Sequence, residues 1–267
     1  MKNSWRGMGI VNRSCCRIAT KLLLTTILLS LAGSSCASEL ILAVANSTCA
    51  AIKKMGHLYE QPRDIKLNYI CKSSGRLAKG LKGGAIKADI YISANHKWMG
   101  YLIDASMVSS GRVVSPWSNE LVVAVPKTSP IKNIAWGDLA SDKIKTILIG
   151  DPGTAPFGRY AKEAMQSTNL WERVRKKITT KKHITLLAHA LAESDGSTLG
   201  VLFRSNVNSK LSVVHTINKS WHSPIRYYMA PMKSSSNHDQ VSSLLEFIQS
   251  DEVREIFTKE GFIFETP

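Results

Sequence analysis

Short, unbroken apolar runs take turns along the chain with stretches in which apolar residues recur every three or four positions. "ELILAVA" (39–45) is a run of the first kind, as expected of a strand covered on both faces. Behind it Ala51, Ile52, Met55 and Leu58 or Tyr59 fall on one helical face. The alternation continues through "IKLNYIC" (65–71) and a short helix from Arg76, then "ADIYISA" (88–94) and "HKWMGYLIDA" (96–105). "ELVVAVPK" (120–127) and "TILIGDP" (146–152) precede a long helix starting near Pro156, and "ITLLAHALAE" (184–193) leads into "TLGVLF" (198–203). "LSVVHTI" (211–217), "IRYYMAPM" (225–232) and two helices between Asp239 and Glu260 complete the order. Strands alternating with helices predict an α/β protein with mixed, mostly parallel sheets flanked by helices, in which ligands bind beyond the carboxyl ends of the strands. A division into two lobes has to be made by strands passing between sheets, for which "ELVVAVPK" and "IRYYMAPM" are the candidates.

Residues 1–37 follow a different pattern. Lys2, Arg6, Arg13, Arg17 and Lys21 precede the apolar run "LLLTTILLSLAG" (22–33) and the small-residue exit "SSCAS", which together describe a secretory signal peptide. The run is short for a membrane span. The long basic flank leaves room for a true start at an internal Met such as Met8, and Ser35 and Ala37 supply the small side chains for cleavage after Ala37. The alternative is lipid attachment at Cys36, for which Gly33 is a poor match where a larger apolar residue is expected.

The chain carries a formal charge of +15, and without the leader 30 basic and 20 acidic side chains leave +10. That charge suits anionic partners. Export and the scatter of the lysines, with no Arg-rich block interleaved with aromatics, argue against nucleic acid. Beyond the leader stand Cys49 and Cys71, which are either bridged in an oxidising compartment or two separate apolar thiols. No CxxC or Cys/His cluster and no HExxH spacing points to direct protein coordination of a metal.

Four handovers from strand to helix share one chemistry: Asn46-Ser47-Thr48, Ser73-Ser74-Gly75, Ala155-Pro156-Phe157-Gly158, and the turn before Ile184. Each places free backbone N–H groups at a helix start, where the helix dipole also favours negative charge. The plainer explanation of Ser and Asn at such places is helix capping. Taken singly, each junction reads that way. A convergent set in a basic, exported chain is less easily dismissed as capping, but convergence is not visible in a sequence.

The segments "ILAVANSTCAAI", "SSGRLAKGLKGGAIKADIYISANHKWMGYL", "NELVVAVPK", "IGDPGTAPFGRYAKEAM" and "EIFTKEGF" resemble the periplasmic molybdate-binding proteins of ABC transporters, over about residues 39–265. "ADIYISANHKWM" and "GDPGTAPFGRYAKEAM" are the most specific of them. The resemblance implies a two-lobed type II periplasmic binding protein: signal peptide 1–37, lobe I from 38–118 and a return segment 224–267, and lobe II from 119–223. It also implies a monomer without cofactor or catalysis, holding molybdate or tungstate between the lobes through neutral donors for delivery to a membrane permease. Residue by residue, the oxyanion ligands fall on Asn46, Ser74, Phe157 and Ile184, the last two through backbone N–H groups. Ser47 and Ser73 are possible additions, as is Thr185, because a nearby loop differs in length. Some relatives add a Tyr hydroxyl where this chain has Phe203, so that donor is missing and selectivity is open. Lys72, Arg76, Arg159 and Lys182 flank the junctions and at most steer anions inward.

Other readings compete. Tyr227-Tyr228 resembles the paired tyrosines that bind ferric ion in another branch of this fold, although neighbours in a strand point to opposite faces. His183, beside the last junction, is a candidate modulator at acid pH. Asp89 and Asp151 stand at strand ends, where catalytic acids can sit, yet turns explain both, and no G-x-S-x-G, P-loop or G-x-G-x-x-G occurs. A binding protein for phosphate or sulfate is the remaining alternative.

Overall fold

The computed structural model describes residues 38–264; the expected leader, its cleavage site and Cys36 lie outside them. In chain order the main elements are β1 (Ser38–Ala45), α1 (Cys49–Glu60), β2 (Ile65–Lys72), α2 (Ser74–Lys82), β3 (Ile90–Ser93), α3 (His96–Asp104), β4 (Trp117–Ser118), β5 (Leu121–Pro126) and β6 (Thr146–Gly150). There follow α4 (Pro156–Ser167), α5 (Trp171–Val174), β7 (Ile178–Lys181), α6 (Ile184–Ala192), β8 (Thr198–Phe203), β9 (Leu211–Thr216), β10 (Tyr228–Pro231), α7 (His238–Ile248), α8 (Asp251–Lys259) and β11 (Ile263–Phe264).

These strands make two main sheets, ordered β10-β3-β1-β2 and β7-β6-β8-β5-β9, and a small pair, β11-β4. β1 runs parallel to β2 and β3, and β6 parallel to β7 and β8. Antiparallel pairing enters with the two strands expected to pass between sheets: β10 against β3, and β5 against β8 and β9. The sheets are therefore mixed, and the parallel part of each is its βαβ centre. There the carboxyl ends of β1, β2, β6 and β7 feed the starts of α1, α2, α4 and α6.

Period-two alternation sorts β1 between two cores. Leu40, Leu42 and Val44 belong to the large core with Ile52, Met55 and Tyr59 of α1, whereas Ala43 joins Leu77, Leu81, Tyr91, Trp98 and Met99 on the opposite face. On α1 it is Tyr59 that is buried, while Leu58 is exposed. β7, "ITTK", escaped the pattern because it is an edge strand paired only with β6 and largely polar. β4 and β11 have two residues each and rely on Trp117, whose ring packs on Phe257 at 4.3 Å and Phe264 at 6.0 Å.

Cys49 and Cys71 form a disulfide, with Cα atoms 6.1 Å apart and a sequence separation of 22. The bond ties the first residue of α1 to the end of β2. Closing a loop of that length restricts the unfolded chain, so the Cys49→Ser/Cys71→Ser variant is expected to lose about 3 kcal/mol of unfolding free energy. Denaturant titration of the two forms checks this; coincident transitions would rule the contribution out.

Candidate functional site

The four handovers converge. Asn46, Ser47, Ser73, Ser74, Phe157 and Ile184 line one enclosed hollow, with Ala45, Ala94, Pro156, His183 and Phe203 completing its wall. Its cavity volume is about 10 Å³, far below the roughly 300–1,000 Å³ typical of sites for drug-sized molecules and about the room of one water. No carboxylate, ammonium or guanidinium group is in the lining. Of the sequence-predicted residues only Thr185 stays outside: it is exposed, lines a separate open hollow, and lies 2.7 Å from His183 Nδ1 through its hydroxyl.

The local geometry separates capping from ligand contact. Thr48 and Ser73 occupy the N-cap positions of α1 and α2, yet neither side chain makes a capping bond. Both hydroxyls are buried and without a partner among the described residues. By contrast, Asn95 and His183 do cap: Asn95 Oδ1 accepts from Trp98 N at 3.2 Å, and His183 Nδ1 accepts from Leu186 N at 3.2 Å. Capping therefore explains α3 and α6 and fails to explain the hydroxyls at the first two junctions. A buried hydroxyl left without a partner costs about 1–3 kcal/mol; of the two, Ser73 borders the hollow, where a ligand would return that cost, and Thr48 does not.

Ser74 Oγ accepts from Ala94 N at 3.0 Å, which leaves the hydroxyl hydrogen to donate. The backbone N–H groups of Ser74, Phe157 and Ile184 stand in the first turns of α2, α4 and α6, where a helix offers no partner, and none of them is spent on a turn or loop carbonyl. At α4 the approach is tight. A Cβ on Gly158 would lie 2.1 Å from the Gly150 carbonyl oxygen, so only glycine lets this helix start against the end of β6. Three bonds bridge the sheets beside the hollow: Gly75 N to Thr154 O at 3.1 Å, Asn206 Nδ2 to Ser47 O at 3.2 Å and Tyr160 Oη to Ala94 O at 3.4 Å.

Loss of solvation, with the nearby Arg76 charge adding to it, holds the His183 imidazole below its ordinary pKa of 6.5. Its Nδ1 accepts two hydrogens only while neutral. An unfolded chain takes up the proton more readily, so stability is complete above the ordinary value and is lost as pH falls through the lowered one. Asn caps helices without titrating. His183→Asn is therefore expected to remove part of the acid destabilisation, and thermal unfolding of both proteins between neutral and mildly acidic pH measures it; parallel profiles would contradict it.

The competing groups are otherwise engaged. Tyr227 is fully buried, burial pushes its phenol pKa up, and its hydroxyl donates to Ser47 Oγ at 3.0 Å. Tyr228 instead packs against the His96 ring, with centroids 5.6 Å apart. The two phenols do not share a point. Asp89 accepts from Ile41 N and Ser235 Oγ, and Asp151 from Gly153 N and Thr154 Oγ1, all within turns and sheet edges. Among the described residues no group of three or more His, Cys, Asp or Glu side chains is placed to hold a metal ion. The Tyr227–Ser47 bond was invisible in the sequence, since 180 positions separate the two residues.

Comparison with known proteins agrees with this architecture. The molybdate-binding protein ModA of Escherichia coli (strain K12) is 28% identical over 243 residues, covering 87% of this chain and 93% of that one. The periplasmic molybdate-binding protein of Azotobacter vinelandii superposes with a TM-score of 0.73 at 14% identity, over 85% of this chain and 100% of the other. The sulfate-binding protein SubI of Mycobacterium tuberculosis H37Rv superposes with a TM-score of 0.71 at 13% identity, over 86% and 88% of the two chains. Such likenesses show the two-lobed fold. The family model for bacterial extracellular solute-binding proteins matches residues 40–263, and with nearly every described residue inside that match the chain belongs to this family.

Proposed function

We propose that the protein is the extracytoplasmic receptor of an ABC transporter, capturing molybdate in the hollow and presenting it to a membrane permease. One observation carries this: four chain turns near positions 46, 74, 157 and 184 meet around a small hollow whose polar lining is neutral, with no carboxylate, ammonium or guanidinium group and an apolar wall from Ala45, Ala94, Pro156 and Phe203. A dianion there is held by charge-assisted bonds worth about 1.5–3 kcal/mol each. Lobe closure removes water, which strengthens these bonds and creates a shape that differs from the open form. Similarity to molybdate-binding relatives supports the choice of ion; tungstate, with the same charge and tetrahedral form, is the second ligand. The sulfate-binding neighbour has the same fold, so the choice rests on cavity size and lining, where Phe203 removes one donor. In this reading 38–118 with 224–267 form lobe I and 119–223 form lobe II. Asn46, Ser74, Phe157 and Ile184 are the oxyanion ligands, with Ser47 and Ser73 beside them. The protein works as a periplasmic monomer without a catalytic step.

Calorimetric titration of the mature protein with molybdate, tungstate, sulfate and phosphate tests it. Saturable one-to-one binding of molybdate, with sulfate and phosphate much weaker, is expected. A flat molybdate titration would overturn the proposal.

A further inference from the structure

A hydrogen-bond chain of fixed direction ends at the hollow. It starts at Asn119, buried between β4 and β5. Asn119 Oδ1 accepts the N–H of Glu120 at 2.9 Å and of Ser205 at 3.4 Å, which sets the amide so that its nitrogen faces the other way. That nitrogen has two hydrogens, and each meets a hydroxyl: Ser205 Oγ at 2.7 Å and Tyr227 Oη at 3.5 Å. A hydroxyl has one hydrogen to give. Tyr227, receiving from Asn119, gives its own to Ser47 Oγ at 3.0 Å. Ser205, likewise receiving, gives to Asn206 Oδ1 at 3.3 Å, and the Asn206 amide nitrogen gives to the Ser47 carbonyl at 3.2 Å. Both branches thus close on Ser47 without conflict. One occupies its carbonyl and the other occupies a lone pair of its hydroxyl. The hydroxyl hydrogen of Ser47 has no task left in the network, and Ser47 lines the hollow.

We propose that Tyr227 is a positioning residue that makes the Ser47 hydroxyl an obligate donor into the hollow, and that this rejects oxyanions which carry a proton. The proposal rests on the oxyanion reading above. Molybdate at neutral pH is fully deprotonated and accepts at every oxygen. Hydrogen phosphate brings a hydrogen of its own, which needs an acceptor; at this wall it meets another hydrogen, and a polar group left unmatched in a closed site is costly. Ser47 so supplies a hydroxyl donor to a cavity whose Phe203 wall has none. Tyr227 can do this only as a neutral phenol, and full burial keeps it neutral.

The test is calorimetry with molybdate and with inorganic phosphate at neutral pH on the wild type, Ser47→Ala, Ser47→Thr, Tyr227→Phe and the Ser47→Ala/Tyr227→Phe double variant. Thermal unfolding without ligand accompanies each. Ser47→Ala and Tyr227→Phe are each expected to weaken molybdate about tenfold, the loss of one bond to a charged acceptor. Ser47→Thr, which keeps the hydroxyl, is expected to lose less molybdate affinity than Ser47→Ala. Because Tyr227 acts through Ser47, the double variant binds no more weakly than Ser47→Ala alone, and Tyr227→Phe narrows the preference for molybdate over phosphate. A purely structural role would move the melting temperature and leave that preference unchanged. Losses that multiply in the double variant, or an unchanged preference in Tyr227→Phe, would overturn the relay. If Tyr227→Phe does not fold, Ser47→Ala decides: binding equal to wild type defeats the proposal. A wild type that binds no oxyanion defeats the functional reading itself, and is told apart from a failed relay by that result alone.

Discussion

Ile184→Pro should bind molybdate about ten- to a hundredfold more weakly than Ile184→Ala, although both lose the same buried side chain. Ile184 is the first residue of α6, and proline is well suited there because its missing N–H has no partner within the helix. The preceding His183 is extended, with φ −156° and ψ 161°, the conformation that a following proline requires. Proline therefore removes one thing that alanine retains, the backbone hydrogen beside the hollow. If that hydrogen faces a dianion, its loss costs about 1.5–3 kcal/mol, and each ~1.4 kcal/mol is a factor of ten in affinity. Both variants lose packing, since Ile184 is 1% exposed, so each will melt earlier than wild type. The comparison is between the two variants, by calorimetry below both melting temperatures. Equal affinities would remove Ile184 N–H from the ligand set.

Gly158→Ala is expected to be the most disruptive small change in the molecule. A methyl group there would sit 2.1 Å from the Gly150 carbonyl oxygen and 2.3 Å from its carbon, which are backbone atoms of β6 and cannot rotate away. Relief requires α4 to lift from the sheet, and overpacking of this kind costs about 3 kcal/mol. For a chain of this size that is about 6–12 °C of melting temperature. Because Phe157 precedes Gly158, its amide moves with the helix, and molybdate affinity falls together with stability. Gly111→Ala is the control: nothing lies within 4 Å of the added atom. Similar melting temperatures for the two variants would show that the β6–α4 contact yields easily.

How much of this could be read without coordinates depended on how local the cause was. Apolar runs and their spacing located β1, β3, β5, β6 and β8 because each buries its residues almost continuously, and β2 although only Ile65 and Leu67 of it are buried. β7 gave no such signal, since Ile178 is its one apolar residue and none of its four residues is buried. The turns at Asn46, Ser74, Phe157 and Ile184 were legible as strand-to-helix handovers, and the resemblance to molybdate-binding proteins named them as one set. Choosing between Ile184 and Thr185 needed the helix start, which rests on the His183 cap and not on periodicity. The Asn119–Tyr227–Ser47 chain could not be foreseen, because its members are joined only where β10 returns to the first sheet. Cys49 and Cys71 were visible as a pair, but their union depended on the parallel register that sets Val44 opposite Cys71.

Three of the four proposed ligand positions offer main-chain hydrogens, which every amino acid except proline possesses. Alanine scanning of Phe157 and Ile184 would consequently register lost packing and miss the recognition event, because the recognising atoms survive the exchange. The same property would let the side chains at those positions change while the chain path keeps the cavity chemistry. What descent must preserve in such a receptor is where the helices begin.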